Sequence, residues 1–172
     1  MLSKRMQEAL NAQINAEYYS SYLYLAMAAH AEAINLKGFT NWFRVQNQEE
    51  MVHVMKFFAY VLDRRGQVKL TAIEGPPTSW TSPLEMFEAT LKHEQHVTSL
   101  INALLDAARD ERDNATYSML EWFITEQVEE ESMADEVVQK LKLIGNEASG
   151  LYLLDRDLGT RIFVPPPGAQ TA

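Results

Sequence analysis

The chain has 172 residues, 47% of them hydrophobic, and carries 24 acidic against 15 basic side chains for a formal net charge of −9. That length suits one domain with a sizeable buried core, and the negative balance argues against nucleic acid or an anionic membrane as the main partner and in favour of cations. With no cysteine, disulfides and thiolate metal sites are excluded, so any metal must take oxygen and imidazole ligands.

Periodicity divides the chain into helices. The first, residues 3–33, takes Ser3 as its N-cap, and Gly38 marks the break before the second, residues 40–65, which Gly66 closes. A long connection, residues 67–82, holds an extended run from Val68 to Ile73 and then Gly75-Pro76-Pro77. Ser82 caps the third helix, residues 83–109, with Pro83 at its first helical position. Asp110 to Asn114 forms a tight turn into the fourth helix, residues 114–143, which Gly145-Asn146 stops. Ser149 caps a short fifth helix, residues 150–159, with Leu151, Leu154 and Leu158 on one side. A complete bundle has no need of that helix, so its apolar stripe is expected to pack against another subunit. Residues 164–172, containing Pro165-Pro166-Pro167, read as an extended tail, which leaves residues 1–163 as one domain. Met1 to Asn15 is amphipathic and interrupted by Lys4, Arg5, Gln7 and Glu8, unlike a signal peptide or a membrane span, and the cytoplasm is the expected compartment.

Connection lengths set the topology. Short links make the first and second helices antiparallel, and the third and fourth likewise. The middle link spans about 50 Å at about 3.3 Å per residue, enough to return along a helix of about 26 residues and about 40 Å. The second and third helices are then parallel. The predicted fold is all-α, a four-helix bundle with one long crossover plus a short fifth C-terminal helix.

All four long helices break their apolar seams at one level. In alternating steps of three and four the second reads Phe39, Phe43, Gln46, Glu50, His53, Phe57 and Tyr60, with a carboxylate and an imidazole where apolar side chains belong. The fourth reads Leu120, Phe123, Gln127, Glu130, Ala134 and Val137, while the first and third carry Glu17 and Glu94 in otherwise largely apolar lines. A buried unpaired carboxylate costs several kcal/mol or takes up a proton, and here the chain supplies further carboxylates instead of matching cations. A hidden repeat relates them: Glu17 precedes Glu50 by 33 positions and His53 by 36, and Glu94 precedes Gln127 by 33 and Glu130 by 36. The two half-sites thus face each other across a pseudo-twofold axis.

Inward-pointing carboxylates with an imidazole suit iron or manganese and leave coordination positions open. Ferritin-like di-iron proteins are the known instance of this pattern, with one Glu from each of two helices and Glu-x-x-His from each of the others. Glu17, Glu94 and Glu50-x-x-His53 match that instance, whereas the fourth helix departs with Gln127-x-x-Glu130. The chain resembles the bacterial and archaeal non-haem ferritins over nearly its whole length, through Asn15-Ala16-Glu17, Gln48-Glu49-Glu50-Met51-Val52-His53, Glu126-Gln127-Val128-Glu129-Glu130-Glu131 and Leu154-Asp155-Arg156-Asp157-Leu158-Gly159. That resemblance implies one iron held by Glu17, Glu50 and His53 and a second by Glu50, Glu94 and Glu130, with Glu50 bridging and Gln127 hydrogen-bonding behind them. It implies a third iron position at Glu49, Glu126, Glu129 and Glu130, and Tyr24 beside the centre as a one-electron donor. It also implies oxidation of Fe(II) by dioxygen and storage of ferric oxyhydroxide in a homo-oligomeric shell of 24 subunits. The alternatives are a haem-binding relative of the bacterioferritin type and a di-iron oxidase or peroxidase that does not store iron.

The remaining polar residues have plainer readings. The Tyr24 hydroxyl is expected to find Glu94, Trp122 to pack, and Glu131 to be solvated off the seam. His30, His93 and His96 lack seam partners and read as surface residues. Met51 directly follows Glu50, where bacterioferritins bind haem, but those proteins also carry Glu-x-x-His in the fourth helix, so haem is not expected. Asp110, Glu111, Asp113 and Glu121, near the turn between the third and fourth helices, read as solvated acids with an entry pore as the alternative.

Overall fold

Ser3 accepts a hydrogen bond from the Met6 amide at 3.0 Å and opens α1 (Lys4–Ala33), as its side-chain chemistry dictates. In this computed structural model, which describes residues 1–165, four further helices follow: α2 (Lys37–Asp63), α3 (Pro83–Asp110), α4 (Asn114–Ile144) and α5 (Ala148–Leu158). Residues 166–172, most of the predicted extended tail, lie outside the described residues; Val164 and Pro165 carry no regular secondary structure. Ser82 caps α3 by accepting from the Glu85 amide, with Pro83 in the first turn, and Gly145 ends α4 at a φ of 59°.

Several boundaries differ from the sequence reading. The break between α1 and α2 falls at residues 34–36, where Asn35 takes a φ of 62°, and Gly38 lies inside the first turn of α2. Gly38 is there for another reason: a Cβ at this position would stand 1.5 Å from the carbonyl oxygen of Asp155 on α5. Asp155 Oδ1 in turn accepts from the amides of Gly38 at 2.8 Å and Phe39 at 3.1 Å. The N-terminus of α2 is therefore capped by a residue 117 positions away. At the far end of α2, Arg65 and not Gly66 takes the left-handed conformation, at a φ of 57°. Ser149 does not cap α5, since Glu147 occupies that position without a side-chain bond.

Register settles the topology. The crossover runs beside α1 in the same direction: the Gln67 amide meets Gln7, the Lys69 amide meets Asn11, and Thr71 and Ala72 accept from Asn15. It thereby returns to the level where α2 began, and Phe87 on α3 packs edge-on to Phe39 on α2 with centroids 5.6 Å apart. Glu88 paired with Lys142 at one end and Arg109 bonded to Tyr117 at the other make α3 and α4 antiparallel. Arg64 clamps Asp113, the N-cap of α4, with two bonds of 3.1 Å, which ties the end of α2 to the α3–α4 turn.

The expected partner for α5 is corrected. Leu154 and Leu158 are only 5% and 9% exposed within this chain and join a core cluster with Phe39, Trp42, Phe43 and Phe87. The apolar stripe closes the end of its own bundle instead of a neighbour. A second apolar cluster, built around Leu10, Phe57, Ile101 and Phe123, fills the opposite half. Between the two halves lies a layer in which Glu17, Gln46, Glu50, His53, Glu94, Gln127 and Glu130 are all buried.

Candidate metal centre

Each acid in this layer enters on a seam position, so the packing that buries the flanking apolar residues buries the carboxylates with them. Glu17, Glu50, Glu94 and Glu130 are each no more than 2% exposed. On α2, one turn of helix brings His53 Nδ1 to 3.2 Å from Glu50 Oε2, and Glu17 Oε2 of α1 lies 4.0 Å from the same nitrogen. On the opposite side of the ring, His53 Nε2 lies 3.9 Å from Glu126 Oε1 of α4. Glu17, Glu50 and His53 offer ligand atoms within 4.8 Å of one another, and so do His53, Glu126 and Glu130. Trp122 and Phe123 meet the imidazole edge-on at 5.5 and 5.8 Å, so Trp122 packs as expected.

Hydrogen bonds fix the other oxygens. Gln13 Nε2 donates to Glu17 Oε1 at 2.8 Å, and Gln46 Nε2 donates to Glu130 Oε2 at 2.5 Å. Tyr24 donates its hydroxyl proton to Glu94 Oε1, and Gln127 Nε2 lies 3.3 Å from Glu94 Oε2. Among the described residues, two buried side-chain oxygens lack a hydrogen-bond partner, Glu17 Oε2 and Glu130 Oε1. A partnerless buried carboxylate oxygen costs more than almost any other polar defect, and a cation is the ligand that removes the cost. The donor set of carboxylates and one imidazole fits iron on this ground.

Electrostatics agree. Burial pushes Glu94 up to about 7, against the hydrogen bonds from Tyr24 and Gln127. Burial, reinforced by Glu94, pushes Glu130 up to about 8. Glu17 is raised and Glu50 raised well above the ordinary carboxylate value, again chiefly by burial. Burial alone would lower the His53 pKa, but Glu50, Glu126 and Glu17 together lift it well above its usual range. Without a metal the cluster thus holds protons that a divalent ion would expel.

The structure brings Glu17, Glu50, His53, Glu94, Gln127 and Glu130 to one level, with Tyr24 on Glu94. Glu126 stands at the edge of the cluster, Glu49 is half-buried, and Glu129 is exposed and belongs to neither close group. Glu131 is only partly exposed, since it accepts from Thr98. Two histidines expected at the surface are partly buried. His93 bonds Ser20 Oγ at 2.8 Å and packs edge-on to Tyr24, and His30 packs against Trp80. Met51 packs against the second apolar cluster. The turn acids have local partners: Glu111 accepts from Ser3, Asp110 pairs with Arg5 at 3.4 Å, and Asp113 with Arg64.

Arg161, beyond α5, escaped the sequence reading. It bonds Gln46 Oε1 at 2.7 Å and Glu49 Oε2 at 2.6 Å. Gln46 and Gln13 carried a usable signal, each lying one turn from an acid on the same face; Arg161 carried none, because it lies outside any periodic segment.

A helical bundle with one long crossover and a buried carboxylate layer defines a ferritin-like protein. The ferritin-like domain family model matches residues 7–144, and the chain belongs to that family. It is 43% identical over 161 residues to the bacterial non-heme ferritin of Bacteroides fragilis (strain 638R), covering 94% of this chain and 100% of that protein. The bacterial non-heme ferritin of Staphylococcus aureus (strain MRSA252) is 42% identical over 163 residues, covering 95% and 98%. Among solved structures, an engineered closed form of the Archaeoglobus fulgidus ferritin superposes with a TM-score of 0.94 at 52% identity, covering 95% of this chain and 100% of that one. An open pore ferritin from the same archaeon gives 0.93 at 52% identity, with 94% and 100% covered.

Proposed function

We propose that this protein stores iron and oxidises it on entry. Fe(II) is the substrate, dioxygen the oxidant, and the balanced reaction is 4 Fe2+ + O2 + 6 H2O → 4 FeO(OH) + 8 H+. The observation that carries the reading is the pair of partnerless buried oxygens, Glu17 Oε2 and Glu130 Oε1, in one layer with His53. Glu17, Glu50 and His53 hold the first ion, Glu50, Glu94 and Glu130 the second, and Glu50 bridges them. The imidazole position is the stronger one, while the all-carboxylate position exchanges more readily, which suits a protein that passes iron on. Gln127 steadies Glu94 from behind. Tyr24 remains a neutral phenol, because burial and then Glu94 raise its pKa well above 10.0, and its bond to Glu94 makes it a one-electron donor beside the site. Glu49, Glu126 and Glu130 would supply an outer third position, with the exposed Glu129 beside it free to turn in as a further ligand.

Storage requires a shell, and we assign this chain to a homo-oligomer of 24 subunits. Family membership supports that assembly, and so do exposed apolar side chains on α1 and the crossover: Tyr22 and Leu25 are each 49% exposed, Leu70 64% and Ile73 38%. Among the described residues no helix is long and apolar enough to cross a membrane. We place the protein in the cytoplasm, and Gln127-x-x-Glu130 in place of a second Glu-x-x-His argues against haem as a cofactor.

Iron loading followed by sedimentation tests the whole reading. Wild type should consume dioxygen on addition of Fe(II) and sediment as a very large particle with a mineral core. Glu50→Ala should lose at least about 100-fold in initial rate, the order of loss typical when a charged group central to a site is removed. A parental initial rate in Glu50→Ala would refute Glu50 as the bridging ligand.

A further inference from the structure

Arg161 is fixed on three sides although it belongs to no helix. Asn41 Nδ2 donates to the carbonyls of Leu158, Gly159 and Arg161 at 3.3, 3.4 and 2.9 Å, which ties the segment after α5 down onto α2. The Arg161 side chain then crosses the face of Trp42, 4.7 Å from the ring centroid, and reaches Gln46 Oε1 and Glu49 Oε2. Both partners of the ion pair are shielded, with side chains 16% and 22% exposed. A guanidinium only donates, so its bond to Gln46 Oε1 dictates how that amide lies and turns Nε2 onto Glu130 Oε2. The other Glu130 oxygen is the partnerless one.

We propose that Arg161 is a tethered cation on the outer carboxylates: it holds Glu49 Oε2, so that a third metal ion gathering the Glu49 carboxylate with Glu126 and Glu130 competes with the guanidinium. Displacement frees the segment after α5 and releases the Gln46 amide that fixes Glu130. A divalent ion wins this exchange at sufficient concentration, because it carries twice the charge and gathers Glu126 and Glu130, whereas among the described residues Glu49 is the one carboxylate that Arg161 bonds. The inner two positions, which Arg161 does not touch, fill first. Arg161 is thus a positioning residue that sets the order of filling. The inference rests on the reading of the cluster as an iron site.

Titration of the full chain with Zn(II), without dioxygen, separates the two claims. Calorimetry counts ions per subunit in wild type, Arg161→Gln, Glu49→Gln and the double variant, and hydrogen exchange follows residues 159–165. In Arg161→Gln the third ion should bind at least about tenfold more tightly, the equivalent of one charge-assisted hydrogen bond, with both inner ions still bound. Those inner ions also report that the variant is folded. Glu49→Gln should abolish the third ion in either background. In wild type, exchange at residues 159–165 should speed up as the third ion binds, and in Arg161→Gln it should be fast from the start. An unchanged or weaker third ion in Arg161→Gln, or no change in exchange when it binds to wild type, overturns this inference alone. Absence of the inner ions from wild type overturns the iron-site reading, and this inference falls with it.

Discussion

Proton binding in the carboxylate layer gives the metal-free protein an unusual pH dependence. Unfolded glutamates titrate near 4.5, so at neutral pH the unfolded chain has released protons that Glu94, at about 7, and Glu130, at about 8, still hold when folded. Their contribution to stability is complete below about 4.5 and is lost as pH rises through about 7 and about 8. His53 acts in the same sense: its folded pKa is raised, so its contribution is present below 6.5 and is lost as pH climbs through the elevated value. The melting temperature of the metal-free protein should therefore fall from about pH 6 to about pH 9, as scanning calorimetry would show. Saturation with Zn(II) should flatten or reverse that slope, because the ion takes the place of the protons. A metal-free protein that grows more stable over this range would contradict the protonated layer. Glu17, Glu50, His53, Glu94 and Glu130 were legible as a group because their sequence spacings repeat between the two halves. The dispositions of His93 and Arg161 were not, since both depend on partners from other elements, Ser20 for one and Gln46 and Glu49 for the other.

At the scale of elements, helix α5 acts as a remote cap for α2. Hydrophobic period revealed all five helices, and local capping chemistry located the starts of α1 and α3, because Ser3 and Ser82 sit next to the amides they satisfy. The start of α2 was misplaced by three residues for the complementary reason, that its acceptor is Asp155 and no short window contains both. Sequence logic likewise read Gly38 as a breaker when it is a contact point. Asp155→Ala should destabilise the protein by about 1–2 kcal/mol, the usual cost of losing an N-cap, and should loosen the segment that carries Arg161. Gly38→Ala should cost more, since backbone and not a flexible side-chain tip occupies the space its Cβ would need. Denaturant unfolding of both variants at fixed protein concentration measures the difference. If Gly38→Ala proves the milder change, the close approach of α5 is not what selects glycine there.

For the molecule as a whole, the carboxylate layer splits one core into two. The two apolar clusters meet only across side chains that would rather face water, so the bundle gives up stability at mid-height in exchange for a place to bind cations. Metal binding should recover it. At free ion concentrations 100 times the dissociation constant, a single site adds about 2.7 kcal/mol. In a chain of this size that raises the melting temperature by about 5–10 °C. Glu130→Gln tests the trade directly, because it keeps the side-chain shape and the acceptor for Gln46 while removing a carboxylate whose Oε1 has no partner. At about pH 8 the metal-free variant should melt above metal-free wild type by a few degrees, and under saturating Zn(II) it should melt below metal-bound wild type. The crossing of the two orders is the informative result: a structural acid would make the variant worse in both states, and a solvated one would leave both unchanged.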